Sequence, residues 1–227
     1  MKSQLVLTRL KPPISKCLLC HKPIAFAPAH LLTRPNKICD KCYHDFALAN
    51  KHFKVSNCRC YALFYYEGKV KETILQIKVN QDLEVAQNLL TRFLPELVSL
   101  FRNYTMIFVP STPTTNQERG FNHVVEVYRI LNLKSEDILY KKVPYKQSDQ
   151  KYENRKKVRD VIAYKGQLNP HKKYVIVDDI VTSQETLKAC IDAARKAGAK
   201  HLKCLVLAYN CRQFVTTKTG QKVLKMK

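Results

Sequence analysis

The sequence predicts an α/β fold, a parallel sheet flanked by helices with a small metal-binding appendage in front of it. Three observations carry that expectation. Short β-branched runs alternate with stretches whose apolar residues recur at helical spacing, the pattern of strands buried on both faces and linked by helices. Two Cys-x-x-Cys pairs stand within the first 42 residues. The chain has 227 residues with 45% hydrophobic content, enough for one α/β core and an appendage, and nothing in it approaches the roughly 18 uninterrupted apolar residues of a membrane span.

The appendage comes first. Cys17-Leu18-Leu19-Cys20 and Cys39-Asp40-Lys41-Cys42 are separated by 18 residues. Each knuckle turns two thiolates toward one point, and two knuckles supply the four sulfurs of a tetrahedral zinc site. Four cysteines leave no open position for water, so the Zn2+ is expected to be structural. Cys58 and Cys60 read as ordinary buried thiols. Helical spacing from Tyr43 to Asn50 predicts a short closing helix, and the appendage is placed at residues 1–60. The first residues, MKSQLVLTRLKPP, lack an uninterrupted apolar stretch and a small-residue cleavage site. With nine cysteines, an odd number, this favours reduced thiols and a cytoplasmic protein.

The body is placed at residues 61–211. YALFYY, from Tyr61, reads as a strand that turns at Glu67-Gly68; Val70, Ile74 and Ile77 mark a helix that ends near Lys78. Lys78 is either a cation favoured by the helix dipole or a reach toward an anionic ligand. Residues 81 to 101 carry a second helical pattern, which Pro95 ends or kinks. Met106 to Val109 is the next buried strand, stopped by Pro110, Ser111, Thr112 and Pro113, a rigid polar loop suited to aiming backbone amides at a phosphate. Arg119 opens an RGFNH segment before an amphipathic helix with Phe121, Val124, Val125 and Tyr128 on its buried face, and its guanidinium suits bidentate pyrophosphate binding. Ile138 to Val143 looks like a further strand.

Tyr174 to Leu187 reads YVIVDDIVTSQETL: a buried strand ending in Asp178 and Asp179, a hydroxyl-rich turn, then a helix that stops at Gly198. Two carboxylates can accept hydrogen bonds from a sugar diol while the helix N-terminus holds a phosphate. A β-α turn with acidic caps is the competing account of this stretch alone. Leu202 to Tyr209 gives the last strand. Ligands bind such sheets at the carboxyl ends of the strands, where these loops would meet.

The net charge of +22 is unevenly placed. Residues 1–60 carry 11 basic and 2 acidic groups, residues 141–173 carry 11 and 3, and the tail at 212–227 carries 5 and none, whereas residues 61–140 carry 8 and 9. Such clustering favours a polyanion, nucleic acid first and an anionic membrane surface second. Residues 144–161 show no amphipathic face and read as a ligand-facing flap or nucleic-acid arm, in which Lys151, Arg155, Lys156, Lys157 and Arg159 neutralise phosphates while Tyr145 and Tyr152 stack on bases.

The two knuckles, VPSTP followed by RGFN, and VIVDDIVTSQET, in that order, resemble the ComF family of competence-associated proteins, nearest its ComFC branch. The resemblance runs from Cys17 to Tyr209. It implies a type I phosphoribosyltransferase-like sheet with an N-terminal zinc ribbon, and binding of 5-phosphoribosyl-1-pyrophosphate (PRPP) together with Mg2+. It implies that Asp178 and Asp179 take the ribose hydroxyls and are the candidate catalytic residues. By the same resemblance Ile180 and Val181 belong to the PRPP-binding segment, Thr182, Ser183, Gln184, Glu185 and Thr186 would cradle the 5-phosphate, and Val109 to Pro113 would correspond to the pyrophosphate loop. Lys78 and Arg119 match basic positions, and Gln147 and Arg155 match the flexible loop. A role in natural transformation follows from the resemblance, with single-stranded DNA, the DNA-uptake machinery and the inner membrane surface as partners; an active phosphoribosyltransferase is the alternative. The family usually has glycine where this chain has Gln184, so a glutamine there must find an ordinary conformation or carry strain.

Overall fold

The structure is a computed structural model and describes residues 16–24, 36–111, 122–142, 162–182 and 184–210, with the backbone of two short strands beyond them. In chain order it shows α1 (Asp40–His44), then β1 (Leu48–Val55) and β2 (Cys58–Tyr65). α2 (Gly68–Val79), α3 (Leu83–Asn88) and α4 (Leu94–Phe101) follow, and then β3 (Tyr104–Phe108) and α5 (His123–Tyr128). Next are β4 (Leu139–Lys141), β5 (Ile162–Tyr164), β6 (Lys173–Val181), α6 (Glu185–Lys196) and β7 (His201–Tyr209). The chain ends in β8 (Phe214–Thr216) and β9 (Lys222–Leu224), an antiparallel pair in what reads from sequence as a plain basic tail.

Five strands form one sheet in the order β1-β2-β7-β6-β3. The pairings β2·β7, β7·β6 and β6·β3 are parallel, and only the edge strand β1 is antiparallel. Residues alternate between the two faces. Val175, Val177, Leu205 and Leu207 pack with the residues of α2 to α5, whereas Tyr174, Ile176, Cys204 and Val206 pack with α6, β4 and β5. All four parallel strands end on one edge, so the loops after β2, β3, β6 and β7 share that edge.

Local chemistry explains most boundaries. Asp82 caps α3 by accepting from the Val85 N–H at 3.0 Å, and Asn122 caps α5 through Val124 and Val125 at 3.0 and 3.4 Å. Pro95 sits in the first turn of α4, where its missing N–H costs nothing, so the pattern over 81–101 is two helices joined by a 3-10 turn. Gly198 ends α6 at φ +111, and a Cβ there would lie 2.8 Å from the Leu168 carbonyl oxygen.

Two expectations are corrected. The segment expected as a helix from Tyr43 to Asn50 is instead the end of α1 followed by β1, which forms a hairpin with β2. That hairpin turns at Ser56 and Asn57, both at positive φ, the twist that tight antiparallel turns require. The strand expected within Ile138 to Val143 is β4, which pairs with β5 outside the main sheet. On α5 the core face holds Val127 with Val124 and Tyr128, while Val125 is only half-buried.

Candidate functional site

At the N-terminus, the four knuckle sulfurs of Cys17, Cys20, Cys39 and Cys42 all lie within 4.8 Å of one another. A tetrahedral zinc with Zn–S bonds near 2.3 Å requires sulfurs about 3.8 Å apart. Cys17 and Cys42 are 3.8 Å apart, and Cys20 and Cys39 are 3.7 Å apart. The donor set therefore fits a closed Zn2+ site. The N–H groups of Leu19 and Cys39 point at the Cys17 sulfur at 3.4 and 3.3 Å, as they do toward a thiolate. Burial works against that thiolate, but these N–H donors outweigh it, and the Cys17 thiol is lowered to about 6. Burial and the neighbouring sulfurs push Cys42 well up.

The knuckles rest on the body. Cys17 and Cys42 belong to the same core as Val175 and Val177. The Tyr43 hydroxyl donates to the Asn88 and Leu89 carbonyls at 3.1 Å each, and Phe46 meets Phe64 edge-on at 5.3 Å.

The second site lies at the C-terminal edge of the sheet. β6 carries Asp178 and Asp179 to that edge between β3 and β7. Asp179 is the point of convergence. Lys78, from the last turn of α2, forms an ion pair with its Oδ2, and His123 Nε2, from the first residue of α5, lies 2.5 Å from the same oxygen. Burial would raise the Asp179 carboxyl, but the His123 hydrogen bond and the Lys78 charge outweigh it and hold the group well below the usual carboxylate range. An ionised carboxylate only accepts, so the imidazole donates through Nε2.

Asp178 goes the other way. Burial, and then the Asp179 charge beside it, push its carboxyl up from 3.8 to about 8. Its Oδ1 accepts the Asp179 N–H at 2.9 Å. The buried Tyr128 hydroxyl reaches the Asp178 carbonyl oxygen at 2.9 Å and the Leu205 carbonyl oxygen at 3.3 Å, pinning α5 to β6 and β7. Two adjacent carboxyls thus differ sharply in proton affinity, the arrangement that divides donor and acceptor roles.

The residues expected at the 5-phosphate fall on the end of β6, the turn after it and the start of α6. Ile180 and Val181 still belong to β6, paired with Ala208 and Tyr209, so the turn starts two residues later than the sequence reads. Thr182 is exposed in that turn, and Glu185 and Thr186 fall in the first turn of α6. Gln184 takes the left-handed conformation, φ 63 and ψ −8, with its side-chain amide 3.5 Å from the Tyr209 hydroxyl. It adopts the geometry that glycine would supply freely. Pro110 and Ser111 follow β3 on the same edge, where the Val109 N–H donates to the Val177 carbonyl at 3.1 Å. Thr112, Arg119, Ser183, Lys151, Arg155, Lys156, Lys157 and Arg159 lie outside the described residues, as do Gln147, Tyr145 and Tyr152.

The aspartates offer no all-oxygen cage for Mg2+, since Asp179 Oδ2 already holds two donors and Asp178 resists ionisation. Sequence reasoning missed His123 and the Tyr128 hydroxyl. The one signal for His123 was its place directly after a capping asparagine, on the face of α5 that turns inward.

No protein-family model matches the chain. Among curated proteins, "Competence protein ComFC" of Streptococcus pneumoniae is 25% identical over 146 residues, which cover 64% of this chain and 66% of that protein. Over that span the chain is similar to a ComFC competence protein. Its match spans just under two thirds of the length of that relative. Solved structures similar to this chain include the purine phosphoribosyltransferase of Pyrococcus horikoshii, at 22% identity over 58% of this chain and 75% of that one, with a TM-score of 0.35. The APRTase of Giardia lamblia, complexed with 9-deazaadenine, is 19% identical over 66% of this chain and 79% of that one, with a TM-score of 0.38. Among the described residues no helix is long and apolar enough to cross a membrane.

Proposed function

We propose that this chain, like the ComFC protein it resembles, binds PRPP with Mg2+ at the Asp178–Asp179 edge and acts in natural transformation by handling incoming single-stranded DNA. The observation that carries the reading is the pair of adjacent aspartates at the end of a central parallel strand, with Lys78 and His123 converging on one of them. In this reading the diol of the ribose bonds Asp178 and Asp179, the turn from Thr182 to Thr186 and the N-terminus of α6 take the 5-phosphate, and Lys78 with the loop after β3 faces the pyrophosphate. The basic segments, including Lys151, Arg155, Lys156, Lys157 and Arg159, supply a separate DNA surface. The DNA-uptake machinery and the inner membrane surface are the further partners of this reading.

Changing Asp178 and Asp179 together to Ala is expected to remove PRPP binding in calorimetry while DNA binding is retained and still falls steeply with salt. Loss of both in a folded variant would refute the separate surfaces.

A second reading, an active phosphoribosyltransferase, draws support from one observation. Asp178 is held protonated toward neutral pH beside an ionised Asp179, so the site contains both a proton donor and an acceptor. Pyrophosphate release in the presence of PRPP, Mg2+ and a panel of nucleobases tests it, and no release with any base removes it.

A further inference from the structure

Asp179 has two basic partners of different character. The His123 side chain is 8% exposed and starts a helix that is fastened twice, by the Asn122 cap and by the Tyr128 hydroxyl on the Asp178 carbonyl. Lys78 is 22% exposed and reaches the same oxygen on a flexible stem from the last turn of α2. Both act on Oδ2. The imidazole therefore fixes which way the carboxylate plane faces, and the lysine supplies a charge that can be redirected over a short distance.

We infer that His123 is the positioning residue for sugar recognition, holding the Asp179 carboxylate so that Oδ1 meets the ribose diol, while Lys78 is the exchangeable partner that turns to the anionic group of the ligand. The inference rests on the sugar-phosphate reading of the site and adds a division of labour to it. Lys78 and Asp179 neutralise each other in their ion pair. When a phosphorylated sugar enters, the lysine can pass from the carboxylate to a phosphate oxygen without leaving either charge buried alone, because His123 still donates to Oδ2. A carboxylate left with no fixed donor would rotate, and the diol would lose a preorganised acceptor. The His123 Nδ1 atom is buried without a hydrogen-bond partner among the described residues, so the ring is held by its packing and by Asp179 alone.

The test uses full-length, zinc-loaded protein and calorimetry with three probes: PRPP with Mg2+, ribose 5-phosphate, and inorganic pyrophosphate. His123→Ala is expected to weaken PRPP and ribose 5-phosphate by about 10- to 100-fold, the usual weight of a hydrogen bond to a charged group, and to leave pyrophosphate within about twofold. His123→Gln, whose amide nitrogen can reach the position of Nε2, is expected to recover most of that loss. Lys78→Met is expected to weaken PRPP and pyrophosphate together.

Equal losses for sugar and pyrophosphate ligands in His123→Ala, or no loss for either, overturn the positioning role. If His123→Ala does not fold, His123→Gln carries the test, and a loss in it as large for pyrophosphate as for ribose 5-phosphate overturns that role in the same way. Wild-type protein that binds none of the three probes removes the sugar-phosphate reading itself, a result distinct from either of these.

Discussion

Asp178→Asn gives the most direct access to the electrostatics of the site. The Asp178 carboxyl is pushed from 3.8 to about 8 by burial and by the Asp179 charge. A group whose folded pKa is raised takes up a proton on folding, so its contribution is fully present below pH 3.8 and is lost as the pH rises toward 8. Between pH 5 and 8 the folded protein thus forfeits about 1.4 kcal/mol per pH unit on this group, or about 4 kcal/mol in all. That figure is an upper bound, because Asp178 keeps some contact with water. Asparagine retains an oxygen for the Asp179 N–H and cannot ionise. The difference in urea-unfolding free energy between variant and wild type, followed from pH 5 to 9, should therefore move steadily in favour of the variant and flatten above pH 8. Taking the difference cancels the other titrating groups that the two proteins share. A difference constant across that range would refute the argument, since it would mean that Asp178 ionises as freely in the folded chain as in the unfolded one.

Three other perturbations have defined outcomes. Removing the metal with a chelator, or changing Cys42 to Ser, should lower Tm by at least several degrees, because Tyr43 and Phe46 lose the support that docks them on the body, at about 2–4 °C per kcal/mol for a chain of this size; elemental analysis should find zinc in the untreated protein and an unchanged Tm would count against a structural site. Gln184→Gly should keep or raise Tm, since a non-glycine left-handed residue costs about 1 kcal/mol or more, and PRPP affinity by calorimetry should not fall unless the glutamine side chain itself touches the ligand. Tyr128→Phe should cost about 1–3 kcal/mol in urea unfolding, by leaving two buried carbonyls without their hydroxyl donor, and a neutral result would mean that these carbonyls are satisfied by the sheet alone.

What could be read from the chain alone follows from the range of the forces involved. The strand Val175 to Val177, the helix that ends at Gly198 and the four knuckle cysteines depend on neighbours a few residues away, so periodicity and spacing reveal them. β1 was hidden because Leu48–Val55 alternates between exposed and half-exposed residues with Lys51 and Lys54 among them, as an edge strand does, and only pairing with β2 makes it a strand. The site was half legible for the same reason. Asp178 and Asp179 stand out as neighbours in sequence, but His123 meets Asp179 across 56 residues, and its place after a capping asparagine does not say which carboxylate it will face. The left-handed Gln184 was visible as an unusual residue in its turn. Its resolution was not, since whether a side chain carries the strain depends on the fold that holds the turn between β6 and α6.

On the proposed reading of the site, stability and recognition make opposing demands on Asp178. A buried carboxyl next to Asp179 is unfavourable for folding at neutral pH, and asparagine would relieve that cost with little change of shape. A chain selected for stability alone would have no use for the second aspartate. Its presence is the pattern of a site where fold stability is surrendered for chemistry, as strained or destabilised functional groups are elsewhere. The same variant therefore separates the two roles. Asp178→Asn is expected to be the more stable protein above neutral pH, so any loss of PRPP binding measured there cannot come from unfolding and must come from the carboxyl itself. Full retention of binding in the stabilised variant would leave Asp179, with Lys78 and His123, as the whole of the acidic recognition at this edge.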